Sequence, residues 1–412
     1  MARIVIFNYD RVIDRRAILQ CNTLIANGHA VTLYALTDAS SVRDLAYVKR
    51  IGIASCGSQV MPLALRVRHA LQVRFPGLFR CALPVLRWMY WTFTGSDPSS
   101  LYLALYKETL ETVGAADLYI AHDLPMLPVA LEAKRRYGGR VLFDSHELFA
   151  EQEFSQMERR MWRRLEGHII GAADGIITVN PSIARLFEER YAVRKVGVVH
   201  NAELVADTPP LKGRLFHERL GLPATAQVLL YQGMYSYHRN LDGLVRAMQF
   251  VRDENIRLVL LGSGPAEKML QCLAQQLGLA KRVHLVEAVP QAELLAYTAS
   301  ADVGVIPYRD ICLNYRYCTP NKLFEFIAAG LPMVATDLPE ITRLVNDHKL
   351  GFTGDTERPE ALAALIERAF VAETLTSLRK QVLAARETVN WQHEGEHFTR
   401  LVNGVLTRGN IS

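Results

Sequence analysis

Long apolar runs are missing from this sequence. No stretch of about 18 uncharged apolar residues occurs, which is the length that a membrane-spanning helix requires. The amino-terminal MARIVIFNYD holds only a short apolar run before its charged residues begin, so we expect no secretory signal peptide. Low-complexity tracts and short-period repeats are absent as well. The sequence therefore predicts an ordinary globular protein.

Cysteine is scarce, and it is not arranged for metal or disulfide chemistry. The 412 residues include six cysteines, which form no Cys-x-x-Cys pair and no cluster with histidine. A structural zinc site and a disulfide framework are both disfavoured, and a reducing cytoplasm is the expected compartment. The cysteines are Cys21, Cys56, Cys81, Cys272, Cys312 and Cys318.

The fingerprint of a dinucleotide cofactor is also absent. No Gly-x-Gly-x-x-Gly follows the first predicted strand, Ala2 to Phe7, which disfavours a nicotinamide-dependent dehydrogenase. The order of elements is nevertheless that of a nucleotide-binding fold. A helix from about Ile13 to Ala26 and a strand from Ala30 to Leu36 complete a strand–helix–strand unit, which begins a doubly wound sheet.

Strands alternate with helices along the whole chain, and the pattern restarts halfway. Residues 202–214 contain Pro209 and Pro210 and show no periodicity, so they are predicted to be a linker. With 50% hydrophobic and 22% charged residues, the chain is long enough for two domains. We predict an α/β protein with two Rossmann-like domains, whose parallel sheets face one central cleft. The domains are predicted at 1–205, together with a C-terminal crossing helix at about 386–412, and at 206–385.

Polar side chains follow two predicted strands of the first domain. His122 and Asp123 come directly after one strand, and Asp144-Ser145-His146-Glu147 comes after the next. Since ligands bind beyond the carboxyl ends of parallel strands, both groups are candidates for a ligand site. The alternative for the second group is a local cap for the helix that is predicted between Gln152 and Gly171.

The stretch PNKLFEFIAAGLPMVATDLP, from Pro320 to Pro339, is the most informative part of the second domain. It predicts a helix that starts at Pro320-Asn321 and ends at Gly330, followed by a buried strand. Lys322 and Glu325 lie one turn apart on this helix and share a face. A helix N-terminus with a lysine suits a phosphate group, and Glu325 could accept hydrogen bonds from sugar hydroxyls. A surface salt bridge between the two side chains is the alternative.

One segment, Met61 to Thr94, combines arginines with aromatic residues and contains no acidic residue, in a chain of net charge +5. This mixture suits contact with an anionic membrane surface. The alternative is that its apolar residues pack into the first domain while its arginines are solvated. Nucleic acid is disfavoured as a partner, because no recognised binding module accompanies the charge. The arginines are Arg66, Arg68, Arg74, Arg80 and Arg87.

Seven short sequences, in this order, resemble the group 1 (family 4) retaining glycosyltransferases of GT-B fold. The resemblance covers most of the chain and is strongest from Asp144 to Asp355, whereas Met61 to Thr94 is not part of it. The seven are LFDSHELF, ADGIITVN, VVHNA, YQGMYSYHRN, LVLLGSGP, ADVGVIPY and PNKLFEFIAAGLPMVATDLPEI.

The resemblance implies a hexosyltransferase that moves a sugar from a UDP- or GDP-linked donor to a glycan or lipid-linked acceptor, with the anomeric configuration kept. The C-terminal domain would hold the donor and the N-terminal domain the acceptor. The implied setting is cell-surface polysaccharide or glycolipid biosynthesis, by a cytoplasmic protein that is peripheral at the inner face of the cell membrane.

No two aspartates are separated by a single residue, so the Asp-x-Asp metal signature of the other glycosyltransferase fold is absent. We therefore predict no cofactor and no metal site, and fixed protein cations must stabilise the departing diphosphate. Lys322 and Arg239, the one basic residue that remains of the family's arginine–lysine pair, are the candidates. The further donor-binding candidates are Gly233, Gly262, Gly264, Asn314, Pro320, Asn321 and Leu323.

Glu325 matches the second glutamate of the family's Glu-x7-Glu pattern, where it would hold the nucleotide ribose. The first glutamate, which usually contacts the sugar hydroxyls, is replaced by Tyr317. Asn314, Tyr315 or the backbone between Thr319 and Asn321 are the candidate substitutes. Because of this replacement, a catalytically silent subunit that scaffolds a partner transferase stays open beside an active enzyme, as does a nucleotide-sugar epimerase of the same fold.

His146 matches the N-domain histidine that approaches the donor sugar in this family. It would bind a sugar hydroxyl or brace positive charge that develops on the ring, with Glu147 as a candidate to orient it. His122 and Asp123 are expected on the same acceptor-side edge. Members of the family lack a clear protein nucleophile, so the resemblance implies front-face attack assisted by the departing phosphate. The tail WQHEGEHFTRLVNGVL resembles the family's last helix, with Trp391 as its anchor on the first domain.

Overall fold

The computed structural model describes residues 1–9, 13–35, 45–50, 98–208, 210 and 213–407. The segment Met61 to Thr94, with its predicted membrane contact, lies outside the described residues. The chain divides into two compact units, Met1–His200 with Gly395–Ser412 (unit 1) and Asn201–Glu394 (unit 2). In the described ranges, no helix combines the length and apolarity that a bilayer crossing requires.

Unit 1 contains a seven-stranded parallel sheet in the order β3-β2-β1-β4-β5-β6-β7. Its central strands contain continuous apolar runs such as IVIF in β1 and LYIA in β4, and the side chains of both runs are buried, as expected of a parallel sheet with helices on both faces. The change of direction in the strand order falls between β1 and β4. The strands are β1 Arg3–Asn8, β2 Ala30–Ala35, β3 Val48–Arg50, β4 Leu118–His122, β5 Arg140–Ser145, β6 Gly175–Thr178 and β7 Gly197–Val198.

Three of the described helices of unit 1 begin at a side-chain cap. Asp14 caps the first helix, Asn180 accepts from the Ile183 N–H, and Ser155 forms a capping box with Glu158. The helix Gln156–Ile169 is therefore capped by Ser155, and the alternative prediction that Asp144 to Glu147 caps it is wrong. The helices are α1 Arg15–Ala26, α2 Ser99–Leu105, α3 Lys107–Thr112, α4 Leu127–Tyr137, α5 Gln156–Ile169 and α6 Pro181–Tyr191, with short 3-10 turns at Leu124–Met126, Phe149–Glu151 and Ile170–Ala172.

Unit 2 repeats the architecture with six parallel strands in the order β10-β9-β8-β11-β12-β13. Its change of direction falls between β8 and β11, where ligands bind in sheets of this kind. Two parallel Rossmann-like sheets were predicted, and both are present. The strands are β8 Gln227–Gln232, β9 Ile256–Leu261, β10 Val283–Val286, β11 Val303–Ile306, β12 Met333–Thr336 and β13 Gly351–Gly354.

The helices after residue 213 follow the predicted alternation. They are α7 Leu215–Leu220, α8 Leu241–Ala247, α9 Glu267–Gln276, α10 Gln291–Ala299, α11 Leu313–Arg316, α12 Asn321–Ala328, α13 Pro339–Asp347, α14 Pro359–Phe370, α15 Ala372–Arg386 and α16 Trp391–Thr407.

Helix α12 was predicted from its apolar spacing, and the structure confirms it. Its apolar side chains are buried, and Gly330 ends it with a φ of +68°. It packs closely on β11, because a Cβ at Gly304 would lie only 2.4 Å from the Phe326 ring. Its start differs in one detail, since no side chain caps it. The Asn321 amide oxygen instead accepts from Asn201 Nδ2 at 3.1 Å.

Helix α16 belongs to both units, and its part from Gly395 onward is assigned to unit 1. There Leu401 and Val405 approach Gly197 and Gly175, where a Cβ would lie 2.8 and 2.5 Å from them. Trp391, the expected anchor, is 4% exposed, and its backbone N–H donates to the carbonyl of Glu203, a residue of the predicted first domain 1–205, at 2.8 Å.

Candidate active site

Arg239 and Lys322 converge on Gly233 in unit 2. Arg239 lies in the loop after β8, and Lys322 lies in the first turn of α12. A Cβ added at Gly233 would lie 3.5 Å from Arg239 Nη1 and 3.5 Å from Lys322 Nζ. The glycine has a φ of +117°, and its absent side chain leaves room at the point where the two cations meet. The structure thus brings together two residues that are 83 positions apart in the sequence.

Aromatic rings hold these cations in place of carboxylates. Lys322 Nζ lies 3.6 Å from the centre of the Tyr231 ring, and Tyr308 has both Lys322 Nζ and the Arg239 guanidinium at 5.2 and 5.3 Å from its own centre. Lys322 is only 5% exposed. Among the described residues, Lys322 Nζ and Arg239 Nε have no hydrogen-bond partner, whereas the Glu325 carboxylate accepts from Gln232. The predicted alternative of a surface salt bridge between Lys322 and Glu325 is therefore wrong.

Burial lowers the pKa of Lys322 well below its usual value, and the positive charge of Arg239 lowers it further. The negative charge of Glu325 acts in the opposite direction but does not compensate. Arg239 keeps its positive charge, because a guanidinium group is not deprotonated in proteins. Two neighbouring basic groups, neither of them hydrogen-bonded to a carboxylate, are unfavourable in a buried site, so the arrangement is suited to an incoming anion.

Glu325 is fixed from the strand side. Gln232, the last residue of β8, donates from Nε2 to Glu325 Oε2, and Thr298 of α10 donates to Gln232 Oε1 at 2.9 Å. Gln232 is 2% exposed and Thr298 is fully buried. Neither residue was predicted from the sequence. The available signal was a glutamine at the end of the otherwise apolar strand VLLYQ, directly before a glycine.

Gly262 and Gly264 allow two loops to interlock. A Cβ at Gly262 would lie 2.0 Å from the Gly233 carbonyl oxygen, and one at Gly264 would lie 2.6 Å from the Tyr235 carbonyl oxygen. The Tyr235 N–H donates to the Ser263 carbonyl at 2.8 Å, which completes the contact. The two glycines therefore hold the loop of Arg239 in its shape.

The remaining donor-binding candidates differ in which of their atoms are accessible to a ligand. Leu323 is fully buried in the core, so only its backbone is available to a ligand, and Asn314 is buried at 9% exposure. Pro320 precedes α12 in extended conformation, and Asn321 is exposed. Tyr317, which replaces the family's first glutamate, lies directly after α11 and is half-buried.

In unit 1, His146 lies among three carboxylates at the carboxyl ends of β1, β4 and β5. Its Nδ1 is 3.6 Å from Asp14 and 3.5 Å from Asp123, and its Nε2 is 3.5 Å from Asp144. Asp123 also accepts from the His146 N–H at 2.8 Å, and holds a φ of +61° that is rare outside glycine. The carboxylate of Glu147, the residue expected to orient His146, accepts from Gln152 Nε2.

The protonation states of the two histidines diverge. Burial alone would lower the pKa of His146, but the negative charges of Asp123 and Asp144 override it and raise the pKa to about 9. Burial and the charge of His146 lower the pKa of His122 to about 3. At neutral pH, His146 is therefore an imidazolium and a hydrogen-bond donor, which favours binding of a sugar hydroxyl over bracing of positive charge. His122 is neutral, and its ring meets that of His146 edge-on at 4.7 Å.

Asp144 is occupied by protein donors. Arg16 donates to both carboxylate oxygens at 2.9 Å, and Gln20 donates to one of them at 2.6 Å. His122, Asp144 and His146 have ligand atoms within 4.8 Å of one another, close enough to share a metal ion. A guanidinium that spans the only carboxylate opposes a further cation, so the residues fit a divalent metal poorly.

Two family profiles match the chain. Residues 214–385 match "Glycosyl transferases group 1", and residues 13–202 match "Glycosyltransferase Family 4". A D-inositol 3-phosphate glycosyltransferase from Streptomyces avermitilis is 31% identical in an alignment 242 residues long, which covers 55% of this chain and 51% of that protein. A protein of the same name from Nocardioides is 24% identical over 90% of this chain and 80% of its own length. For the first relative, the chain spans about half of the curated protein's length.

Solved structures share the fold. HepE from Anabaena, in complex with UDP and glucose, superposes with a TM-score of 0.71 over 98% of this chain and 100% of its own, at 15% identity. Sucrose-phosphate synthase from Thermosynechococcus elongatus gives a TM-score of 0.69 over 98% and 99%, at 18% identity. The predicted GT-B fold class is confirmed. From the two profiles, which match 214–385 and 13–202, and from the shared fold, this chain belongs to the group 1 glycosyltransferase family.

Proposed function

We propose that this protein is a retaining glycosyltransferase that takes a sugar from a UDP- or GDP-linked donor. The observation that carries the proposal is the pair Arg239 and Lys322, two cations without carboxylate partners that meet at Gly233. They lie at the switch point of the unit 2 sheet. HepE, which was solved with UDP, has the same fold.

The chemistry needs such a pair. When the bond between the anomeric carbon and the diphosphate breaks, negative charge grows on the departing phosphate oxygens. Fixed cations that are aimed at those oxygens stabilise the charge without any rearrangement at the moment of reaction. Arg239 and Lys322 would supply this stabilisation, so the proposal includes no metal. Glu325 would accept hydrogen bonds from the ribose hydroxyls.

His146 would donate a hydrogen bond from its imidazolium to a sugar hydroxyl. The carboxylates of Asp14 and Asp123 lie beside it and provide acceptors for other hydroxyls. No residue is assigned as a covalent nucleophile. The acceptor hydroxyl would attack from the face that the diphosphate leaves, and the departing phosphate would take its proton, so the anomeric configuration is kept.

The acceptor is proposed to be a glycan or lipid-linked saccharide at an anionic membrane surface. Helix α5 supports this part of the proposal. Its acidic side chains Glu158 and Glu166 are buried, at 7% and 2% exposure, whereas the exposed residues of the helix include no acid. An exposed basic face attracts anionic headgroups. Its exposed members are Arg160, Arg164 and His168, together with Arg163, whose guanidinium is paired with Glu151.

A screen of UDP- and GDP-sugars by thermal shift, followed by NMR of the product formed with a glycolipid acceptor mixture, tests the proposal. We expect one donor class to raise the melting temperature and the product to keep the donor's anomeric configuration. A product of inverted configuration would refute the retaining mechanism.

The replacement of the family's first glutamate by Tyr317 favours a second candidate, a catalytically silent subunit. Calorimetry separates the two, because a silent scaffold would bind no nucleoside diphosphate at millimolar concentration. An active enzyme would bind one, and its Lys322→Ala variant would bind it more weakly.

A further inference from the structure

Gln232 lies between the two parts of the candidate donor site. It is the last residue of β8, so its backbone leads directly into Gly233, where Arg239 and Lys322 meet. Its side-chain amide donates a hydrogen bond to the Glu325 carboxylate on α12. At 2% exposure, it has no water to replace a lost partner.

The orientation of the Gln232 amide follows from its neighbours. A carboxylate only accepts hydrogen bonds, so the NH2 group of Gln232 must face Glu325. The amide oxygen then faces Thr298, whose hydroxyl must be the donor at 2.9 Å. Thr298 is fully buried, and its hydroxyl also lies 2.7 Å from the Leu294 carbonyl of its own helix. The contact between Gln232 and Glu325 allows one arrangement only, whereas the single hydroxyl proton of Thr298 is shared between two acceptors, Gln232 Oε1 and the Leu294 carbonyl.

We propose that Gln232, oriented by Thr298, is the positioning residue that holds the Glu325 carboxylate ready for the ribose of the donor nucleotide. This inference rests on the proposed function, because Glu325 receives its ribose role there. Gln232 would not touch the donor itself. It would fix the carboxylate in one rotamer, so that binding does not have to order it.

Variants of Gln232 should affect the binding of nucleosides and the binding of diphosphate differently. Loss of the Gln232 amide should weaken ligands that carry a ribose, and it should leave inorganic diphosphate unaffected, because diphosphate needs only Arg239 and Lys322. We expect Gln232→Met to weaken UDP and GDP binding by about tenfold, the size of one hydrogen bond to a charged group. Thr298→Val should weaken them less, and Thr298→Ser, which keeps the hydroxyl, should bind like the wild type.

The experiment is calorimetric titration of the full chain with UDP, GDP and inorganic diphosphate, with melting curves to establish that each variant is folded. Glu325→Gln, alone and combined with Gln232→Met, tests whether Gln232 acts through Glu325. If it does, Gln232→Met should cost little more in the Glu325→Gln background.

Equal losses of affinity for UDP and diphosphate in Gln232→Met would overturn the proposal, because they would show a general structural defect. Wild-type UDP affinity in Gln232→Met, or full additivity with Glu325→Gln, would also overturn it. These results would leave the proposed function in place. A wild-type protein that binds inorganic diphosphate but no nucleoside diphosphate would overturn the proposed function, and the role of Gln232 with it.

Discussion

Arg239 and Lys322 share the same neighbour: each places a nitrogen 3.5 Å from the position that a Gly233 side chain would occupy. Both also lie over the Tyr308 ring. Like charges are therefore held together by rings that offer no negative charge beyond their π faces. Such a pair lowers the stability of the ligand-free protein and raises its affinity for an anion.

Replacement of Lys322 should therefore have opposite effects on stability and binding. We expect Lys322→Met to stabilise the ligand-free protein by about 1 kcal/mol, because a buried cation without a partner is removed. UDP affinity should fall by about 10- to 100-fold, the contribution of a charged hydrogen bond. Urea unfolding and calorimetry measure the two effects. Lys380→Met, at an exposed position of α15, is the matched control and should change neither. Lower stability in Lys322→Met would contradict this view of the site.

Donor binding should also take up a proton at Lys322. The pKa of Lys322 is lowered in the ligand-free protein, and a bound diphosphate would raise it. Affinity should thus be constant below the lowered pKa and should fall as the pH rises from that value towards the pKa of the complex. Between these two values, titration of UDP in buffers of different ionisation enthalpy should show proton uptake. Lys322→Arg, which keeps its charge, should abolish the uptake. Uptake that persists in this variant would assign the proton to another group.

The carboxylates around His146 should make part of the stability depend on pH. The pKa of His146 is raised to about 9, so the folded protein binds this proton more tightly than the unfolded chain does. The contribution is fully present below the unfolded pKa of about 6.5 and is lost as the pH rises through about 9. It amounts to at most about 3 kcal/mol.

Unfolding of wild type and His146→Gln at several pH values between 6 and 10 measures this contribution. The difference in unfolding free energy should shrink towards high pH. A constant difference would show that His146 is not protonated in the folded protein.

The basic face of α5 should contribute to membrane binding together with the arginines of Met61 to Thr94. We expect the wild type to sediment with vesicles that contain anionic phospholipid and not with neutral vesicles. Replacement of Arg66, Arg68, Arg74, Arg80 and Arg87 by Gln should abolish sedimentation, and Arg160→Gln with Arg164→Gln should weaken it.

Arg252→Gln with Lys380→Gln removes two exposed charges from unit 2 and is the matched control for the α5 pair. If the control weakens sedimentation as much as the α5 variant does, the effect is due to net charge and not to this face. Unchanged sedimentation of the five-arginine variant would rule out the role of the segment.

The fold was predictable because its strands, its helices and their alternation each leave a pattern among residues that are close together in the sequence. Buried parallel strands read as apolar runs, helices read as spaced apolar residues between caps, and their alternation predicts the sheets. Helix α12 and its Lys322 and Glu325 were found in this way. His146 and Arg239 were found because their surroundings resemble a family.

The contacts that fix these residues were not predictable, because they join distant parts of the chain. Arg16 holds Asp144 across 128 residues, and Gln232 holds Glu325 across 93. No periodicity links such positions, and each partner alone reads as an ordinary polar residue. Burial and pKa depend on the same distant contacts, so the charged state of His146 and the lowered pKa of Lys322 required the structure.

The central claim is that protein cations, without a metal, hold the diphosphate of the donor. Its most direct test is calorimetric titration of UDP and GDP in the presence of EDTA, with the wild type and with the Arg239→Met, Lys322→Met double variant. The account predicts that the wild type binds one of these nucleotides in EDTA and that the folded double variant does not. Wild-type binding that is lost in EDTA and restored by a divalent metal, or unchanged binding in the double variant, would contradict it.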